Sequence, residues 1–182
     1  MSANAGQSPV IRSAGAADAA TLARIKLDCF RQTFLGGYLN VPYSAENLAV
    51  FEAEAYSETA VAAELADPAR AQWVAEAPDG SIVAYVHVGP CKLPHADVRA
   101  DPGEIYQLYV LEDWQGHGLG RRLMDVALDW LAKHRPGPVW LGVYSENLRA
   151  QAVYARYGFV KVGDYEFRVG DHRDHEFILR RD

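Results

Sequence analysis

One junction constrains this chain more than any other: a strand runs into a glycine-rich turn and then into a helix. Residues 104–133 read EIYQLYVLEDWQGHGLGRRLMDVALDWLAK, with glycine at 116, 118 and 120. Such a junction aims the first helical N–H groups, which have no partner inside the helix, at whatever lies above the turn. The helix dipole adds positive charge there, and glycines let an anion approach the main chain without a Cβ in the way. Arg121 and Arg122 reinforce this anion seat. Spacing excludes two phosphate motifs: a dinucleotide fingerprint needs glycine where Arg121 stands, and a nucleoside-triphosphate loop needs G-x-x-x-x-G-K followed by Ser or Thr.

The rest of the chain alternates strands and helices. VIRSA, from residue 10, reads as a strand, and a helix follows Asp18 with Leu22, Ile25 and Cys29 at helical spacing. One or two helices fit between Ser44 and Leu65, with Pro42 and Pro68 as boundaries. AQWVAEA and SIVAYVHVG flank a PDG turn as a hairpin. From Gly116 the pattern is helical, with Leu119, Leu123, Val126, Ala127, Trp130 and Leu131 on one stripe, until RPGP stops it. A strand VWLGVY, a helix from Asn147 to Tyr157 and the strands VKVGDYEFRV and HEFILRR complete the order. Residues 1–9 read as a flexible tail and residues 10–182 as one mixed α/β domain. Trp73, Trp130 and Trp140 read as core.

Composition narrows the partners. The 182 residues, 49% hydrophobic and 23% charged, suit a single domain with a sizeable core. A net charge of -6 speaks against nucleic acid, which calls for a basic surface, and favours a cationic small molecule. Cys29 and Cys91 are far apart with no C-x-x-C pairing, so two buried reduced thiols are expected rather than a disulfide framework or a zinc site. MSANAGQSPV lacks the basic and apolar regions of a secretory signal, and no apolar run is long enough to span a bilayer, so a cytoplasmic protein with no membrane partner is expected.

QGHGLG, placed after the strand IYQLYV, resembles the Q/R-x-x-G-x-G/A pyrophosphate loop of the GCN5-related N-acetyltransferases (GNAT). NLRAQAVYARYGF resembles their N-x-x-A-x-x-x-Y-x-x-x-G-F helix. The segments TFLGGYLNVPYSAENLAVFEAEAYS and WLGVYSENLRAQAVYARYGFVKVGDYEFRVGD resemble the PaiA-type polyamine acetyltransferases within that family. The resemblance implies a mostly antiparallel twisted sheet of six or seven strands, splayed between the fourth and fifth, with about four helices and acetyl-CoA in the cleft. It implies that the backbone of Leu108, Tyr109 and Val110 meets the pantetheine arm and the thioester carbonyl. Gln115, Gly116, His117, Gly118, Leu119, Gly120 and Arg121 would hold the pyrophosphate, His117 through its backbone. Asn147 would bond the pantetheine and Tyr154 would sit near the sulfur.

The chemistry needs a proton acceptor, because an alkylammonium with a pKa near ~10.4 is almost wholly charged at pH 7. Glu104, eleven positions before Gln115, matches the spacing at which some members of the family place a catalytic glutamate; burial would raise its pKa toward useful values. Other members carry a glutamate on the next strand, where this chain has Gly142. Tyr154 is the candidate acid for the leaving thiolate, and a strand N–H, that of Val110, for the oxyanion. In GDHRDHEF, His172 and His175 read as exposed residues beside a hairpin turn and not as metal ligands. The expected activity is direct transfer of an acetyl group to a small polyamine-like amine, with the aromatic residues Phe34, Tyr38, Tyr43 and Phe51 covering the acceptor side. A protein or peptide amino terminus is the alternative acceptor and a non-catalytic acetyl-CoA-binding regulator the alternative class; homodimers are frequent in the family that the chain resembles.

Overall fold

The protein's structure, a computed structural model, describes residues 8–99 and 101–182, so the tail expected at the amino terminus falls mostly outside the described residues. Seven strands form one sheet: β1 (Val10–Ser13), β2 (Ala71–Glu76), β3 (Ile82–Pro90), β4 (Gly103–Val110), β5 (Val139–Tyr144), β6 (Val160–Val169) and β7 (His172–Arg181). Their spatial order is β1-β2-β3-β4-β5-β7-β6. All neighbours are antiparallel except β4 and β5. That parallel pair is held only through Gly103↔Val139 and Glu104↔Trp140, after which the ladder stops.

Five α-helices accompany the sheet: α1 (Ala19–Phe34), α2 (Ala45–Tyr56), α3 (Glu58–Ala66), α4 (Leu119–His134) and α5 (Leu148–Arg156). The segment between Pro42 and Pro68 holds two of them, because Ser57 adopts an extended backbone and caps α3, its hydroxyl accepting the Ala60 N–H at 3.2 Å. Ser44 caps α2 in the same way. The long helix begins at Leu119 and not at Gly116, since Gly116 and Gly118 have φ of +82° and +76°, which a right-handed helix does not allow.

Strand alternation sorts the two faces. Ile105, Leu141, Val143 and Leu179 pack with the buried stripe of α4, namely Leu119, Leu123, Met124, Ala127 and Leu131. Val126 and Trp130 lie at the margin of that stripe. Trp140, Gly142, Tyr144, Glu176 and Ile178 alternate onto the opposite face, where α1 and α2 bring Phe30, Phe34 and Phe51. The ladder between β3 and β4 slips once: Val88 pairs with Ile105 and His87 with Gln107, which leaves Tyr106 as the extra residue of a bulge.

Leu123 is fully buried in the core beneath α4. Leu123→Ala is expected to cost about 2–5 kcal/mol by urea denaturation; a loss below about 1 kcal/mol would contradict this packing.

Candidate active site

Because β4 and β5 pair only at their first residues, the β5-facing backbone edge of β4 has no strand partner beyond Glu104. Leu111 donates its N–H to Val83 O on β3 at 3.0 Å. By the two-residue period, Leu108 and Val110 turn their N–H and C=O groups the other way, into the wedge between β4 and β5, while those of Tyr109 face β3. The Val110 carbonyl accepts from Gln115 Nε2 at 3.1 Å, so the wedge is tied to the start of the glycine loop.

The loop itself is open. No atom lies within 4 Å of where a Cβ would stand at Gly116 or Gly118, so the space above the turn is open and the glycines answer to positive φ, not to crowding. The unpartnered N–H groups of the first turn of α4 follow at once. His117 Nδ1 lies 3.0 Å from the Gln115 carbonyl. Arg121 is exposed at the loop, but Arg122 is turned away from it and donates to the Pro9 carbonyl at 2.9 Å.

On α5, the Asn147 side-chain oxygen caps the helix by accepting the Ala150 N–H at 3.1 Å, which occupies its oxygen and not its amide nitrogen. Tyr154 is half-buried against Phe159, ring centroids 6.0 Å apart. Burial, with the charge of Glu176 adding to it, pushes its hydroxyl up to about 12, so it keeps its proton at every physiological pH.

The face opposite α4 is acidic and aromatic. Glu104 is only 7% exposed, not solvated as an edge residue would be, and accepts the Lys92 N–H at 2.7 Å. Burial pushes it up to about 7. Glu176 and Asp174, two apart on β7, are buried on the same face. Tyr165 donates its hydroxyl to Glu176, and Tyr43 donates to Asp174. Burial also pushes Glu176 up to about 7, helped by the negative charges of Asp174 and Glu104. The residues expected to cover this side do so in part. Phe34, Tyr43 and Phe51 join Phe30, Tyr56 and Tyr144 there, while Tyr38 is exposed and sits under the Arg149 guanidinium, 4.1 Å from its ring centroid.

GDHRDHEF therefore holds more than exposed strand residues. His175 points outward to Asp164 at 3.1 Å, but His172 falls on the inner face, edge-on to the Tyr43 ring and 3.3 Å from Asp174. The sequence signal for Asp174 and Glu176, neither of which was singled out from sequence, is a D-x-E alternation leading to the apolar Ile178. Of the two thiols, Cys29 is buried and Cys91 half-buried; burial pushes both up to about 12, too weakly acidic to supply a nucleophilic thiolate. No group of three His, Cys, Asp or Glu side chains among the described residues could hold a metal ion, and no helix there is long and apolar enough to cross a membrane.

The family model for the acetyltransferase (GNAT) family matches residues 32–159. The chain belongs to that family. It is 34% identical to an uncharacterized N-acetyltransferase of Mycobacterium bovis over 139 residues, 75% of this chain and 83% of the relative. It is 25% identical over 92 residues to the spermine/spermidine N(1)-acetyltransferase of Bacillus subtilis, 49% of this chain and 59% of that protein. In fold it is similar to the PaiA N-acetyltransferase of Thermoplasma acidophilum, solved in complex with coenzyme A, with a TM-score of 0.74 at 20% identity over 97% of this chain and 99% of that one. The GNAT chain is thus an acetyl-CoA-dependent N-acetyltransferase, and acetyl-CoA is its co-substrate.

The buried acids also govern stability. With its pKa raised to about 7, Glu104 holds a proton in the folded state that the unfolded chain sheds near ~4.5, so its contribution to stability falls as pH rises from about 4.5 to 7. Glu104→Gln keeps a carbonyl for the Lys92 N–H and removes the charge. Its melting temperature is expected to gain on the wild type as pH rises from 5 to 8; a constant difference would contradict the raised pKa.

Proposed function

We propose that this acetyltransferase acts on a primary amine of a small polycationic acceptor of the polyamine class. The observation that carries the reading is the set of three buried carboxylates, Glu104, Asp174 and Glu176, on the face opposite α4. Buried charge is costly unless paired, yet Asp174 and Glu176 are met by tyrosine hydroxyls and not by Lys or Arg. A cationic ligand supplies the missing counter-charge. Tyrosine and phenylalanine faces around the acids add attraction for ammonium groups and apolar surface for the methylenes between them.

The lid over this face favours a compact acceptor over a peptide. Asn47 at the start of α2 accepts the Asp171 N–H at 2.9 Å, and Phe51 packs on Phe167 with centroids 5.8 Å apart, so α2 is pinned to the β6–β7 hairpin. The likeness to the spermine/spermidine N(1)-acetyltransferase of Bacillus subtilis supports the same class.

On this reading the co-substrate lies in the wedge between β4 and β5, its diphosphate on residues 115–121 and its pantetheine along Leu108 and Val110 and near Asn147. The Val110 N–H faces the place where negative charge develops on the thioester oxygen. Tyr154, protonated throughout the working range, supplies the proton the leaving sulfur takes. Holding both substrates in one site carries much of the rate.

The test is release of free thiol from acetyl-CoA with spermidine, spermine, amino acids, aminoglycosides and short peptides as acceptors. Spermidine and spermine are expected to exceed amino acids and peptides by at least about tenfold in kcat/KM. Asp174→Asn is expected to raise the polyamine KM about tenfold, a loss on the order of 1.4 kcal/mol, with the acetyl-CoA KM unchanged. Preference for a peptide amino terminus, or an Asp174→Asn enzyme with wild-type KM, would contradict the polyamine reading.

A further inference from the structure

Of the three buried acids, one is placed differently from the others. Gly142 and Glu176 lie on neighbouring strands, and a Cβ built on Gly142 would fall on the Tyr165 hydroxyl and 2.9 Å from Glu176 Oε2. The missing side chain of Gly142 is therefore the space in which the Glu176 carboxylate and its hydroxyl donor sit. Tyr165, directly opposite Glu176 in the β6–β7 ladder, fixes the carboxylate through Oε2; Oε1 has no protein hydrogen-bond partner among the described residues. Glu176 is 8% exposed, so it is buried but not sealed.

Its neighbours locate it further. From β4 it is faced by Tyr109 and Glu104, from β5 by Tyr144, from α5 by Tyr154, from β6 by Tyr165, and on its own strand by Asp174, with Tyr43 beyond Asp174. After burial, the charge of Glu176 is the next influence raising the Tyr154 hydroxyl, and it also acts on Tyr109. Glu176 thus sits where the open end of the wedge, the acid on α5 and the acceptor face meet. Glu104 sits at the closed end, in the last residue pair that still joins β4 to β5, with Oε2 committed to the Lys92 N–H.

We propose that Glu176 is the catalytic base of this enzyme, with Tyr165 as its positioning residue and Gly142 as the gap that admits it. The proposal rests on the polyamine reading only in requiring a protonated amine as acceptor. Glu176 takes one proton from the acceptor ammonium and frees the lone pair on nitrogen. As the nitrogen bonds to the acetyl carbon, the carbon–sulfur bond breaks and the sulfur takes a proton from Tyr154. The second nitrogen proton restores the Tyr154 hydroxyl, and Glu176 returns its own proton to solvent. The balance is one ammonium and one thioester in, one amide, one thiol and one released proton out. Burial, by raising the carboxylate to about 7, brings it nearer to the ammonium near ~10.4 than an exposed glutamate would be.

The experiment measures kcat and kcat/KM from pH 5.5 to 9 for wild type, Glu176→Gln, Glu176→Asp, Tyr165→Phe and Glu104→Gln, using the amine that wild type turns over fastest. Acetyl-CoA affinity by calorimetry reports that each variant is folded. Wild type is expected to lose activity as pH falls below about 7. Glu176→Gln should lose roughly 10²–10⁴ in kcat and the acidic limb with it, at unchanged acetyl-CoA affinity. Glu176→Asp should restore part of the rate. Tyr165→Phe removes a donor that favours the ionised carboxylate, so its acidic limb should move to higher pH, a shift that a purely structural role would not produce. Glu104→Gln should retain the limb, moved to lower pH because a negative charge that raises Glu176 is gone. A Glu176→Gln enzyme within threefold of wild type with its limb intact, or a limb lost from Glu104→Gln instead, overturns the assignment while the polyamine reading stands. Wild type that uses only acceptors uncharged at pH 7 overturns both.

Discussion

Two residue pairs decide what this molecule can do. Gly103↔Val139 and Glu104↔Trp140 hold β4 to β5, and nothing pairs the strands beyond them. A central sheet interrupted there leaves peptide groups that want partners in the middle of the protein. An extended thioester arm can supply those partners from one side, and the loop at the end of β4 is shaped by Gly116 and Gly118 to meet its charged end. The opposite face of the same sheet carries the acids and the aromatic lid. On the proposed reading the two substrates approach from different directions and meet where the strands separate.

The strand, glycine loop and helix of this arrangement were legible in the sequence and the buried acidic face was largely not. The glycine loop is local: Gly116 and Gly118 must adopt positive φ between a strand and a helix, and side-chain absence records that directly. The start of α4 was misplaced by three residues because alternating glycines carry no periodicity of their own. Glu104 was visible by its spacing, but its burial was not, since it depends on the chain that returns over it at Lys92. Asp174 and Glu176 were not singled out, because two histidines and an arginine stand between and around them; the packing of α2 on β6 decides which face of β7 is covered. Gly142 read as the loss of a possible base, whereas the structure fills that space with a carboxylate from the neighbouring strand.

The site illustrates how function opposes stability in one cluster. Glu104 and Glu176 both have raised pKa values because burial disfavours their charge, and for Glu176 the negative charges of Asp174 and Glu104 add to the shift. The hydrophobic core under α4 bears that cost, with Leu119, Leu123, Met124, Ala127 and Leu131 all buried against the other face of the sheet. In the proposed mechanism the same desolvation that weakens the folded state prepares Glu176 for proton transfer from an ammonium ion.

The most direct test of the wedge is hydrogen–deuterium exchange at single-residue resolution with and without coenzyme A. The Leu108 and Val110 amides face the gap, whereas the Tyr109 amide faces β3. Coenzyme A is expected to slow exchange at 108, 110 and the first turn of α4 while leaving Tyr109 nearly unchanged. Protection confined to other elements, or none along β4, would contradict the placement of the thioester arm between β4 and β5.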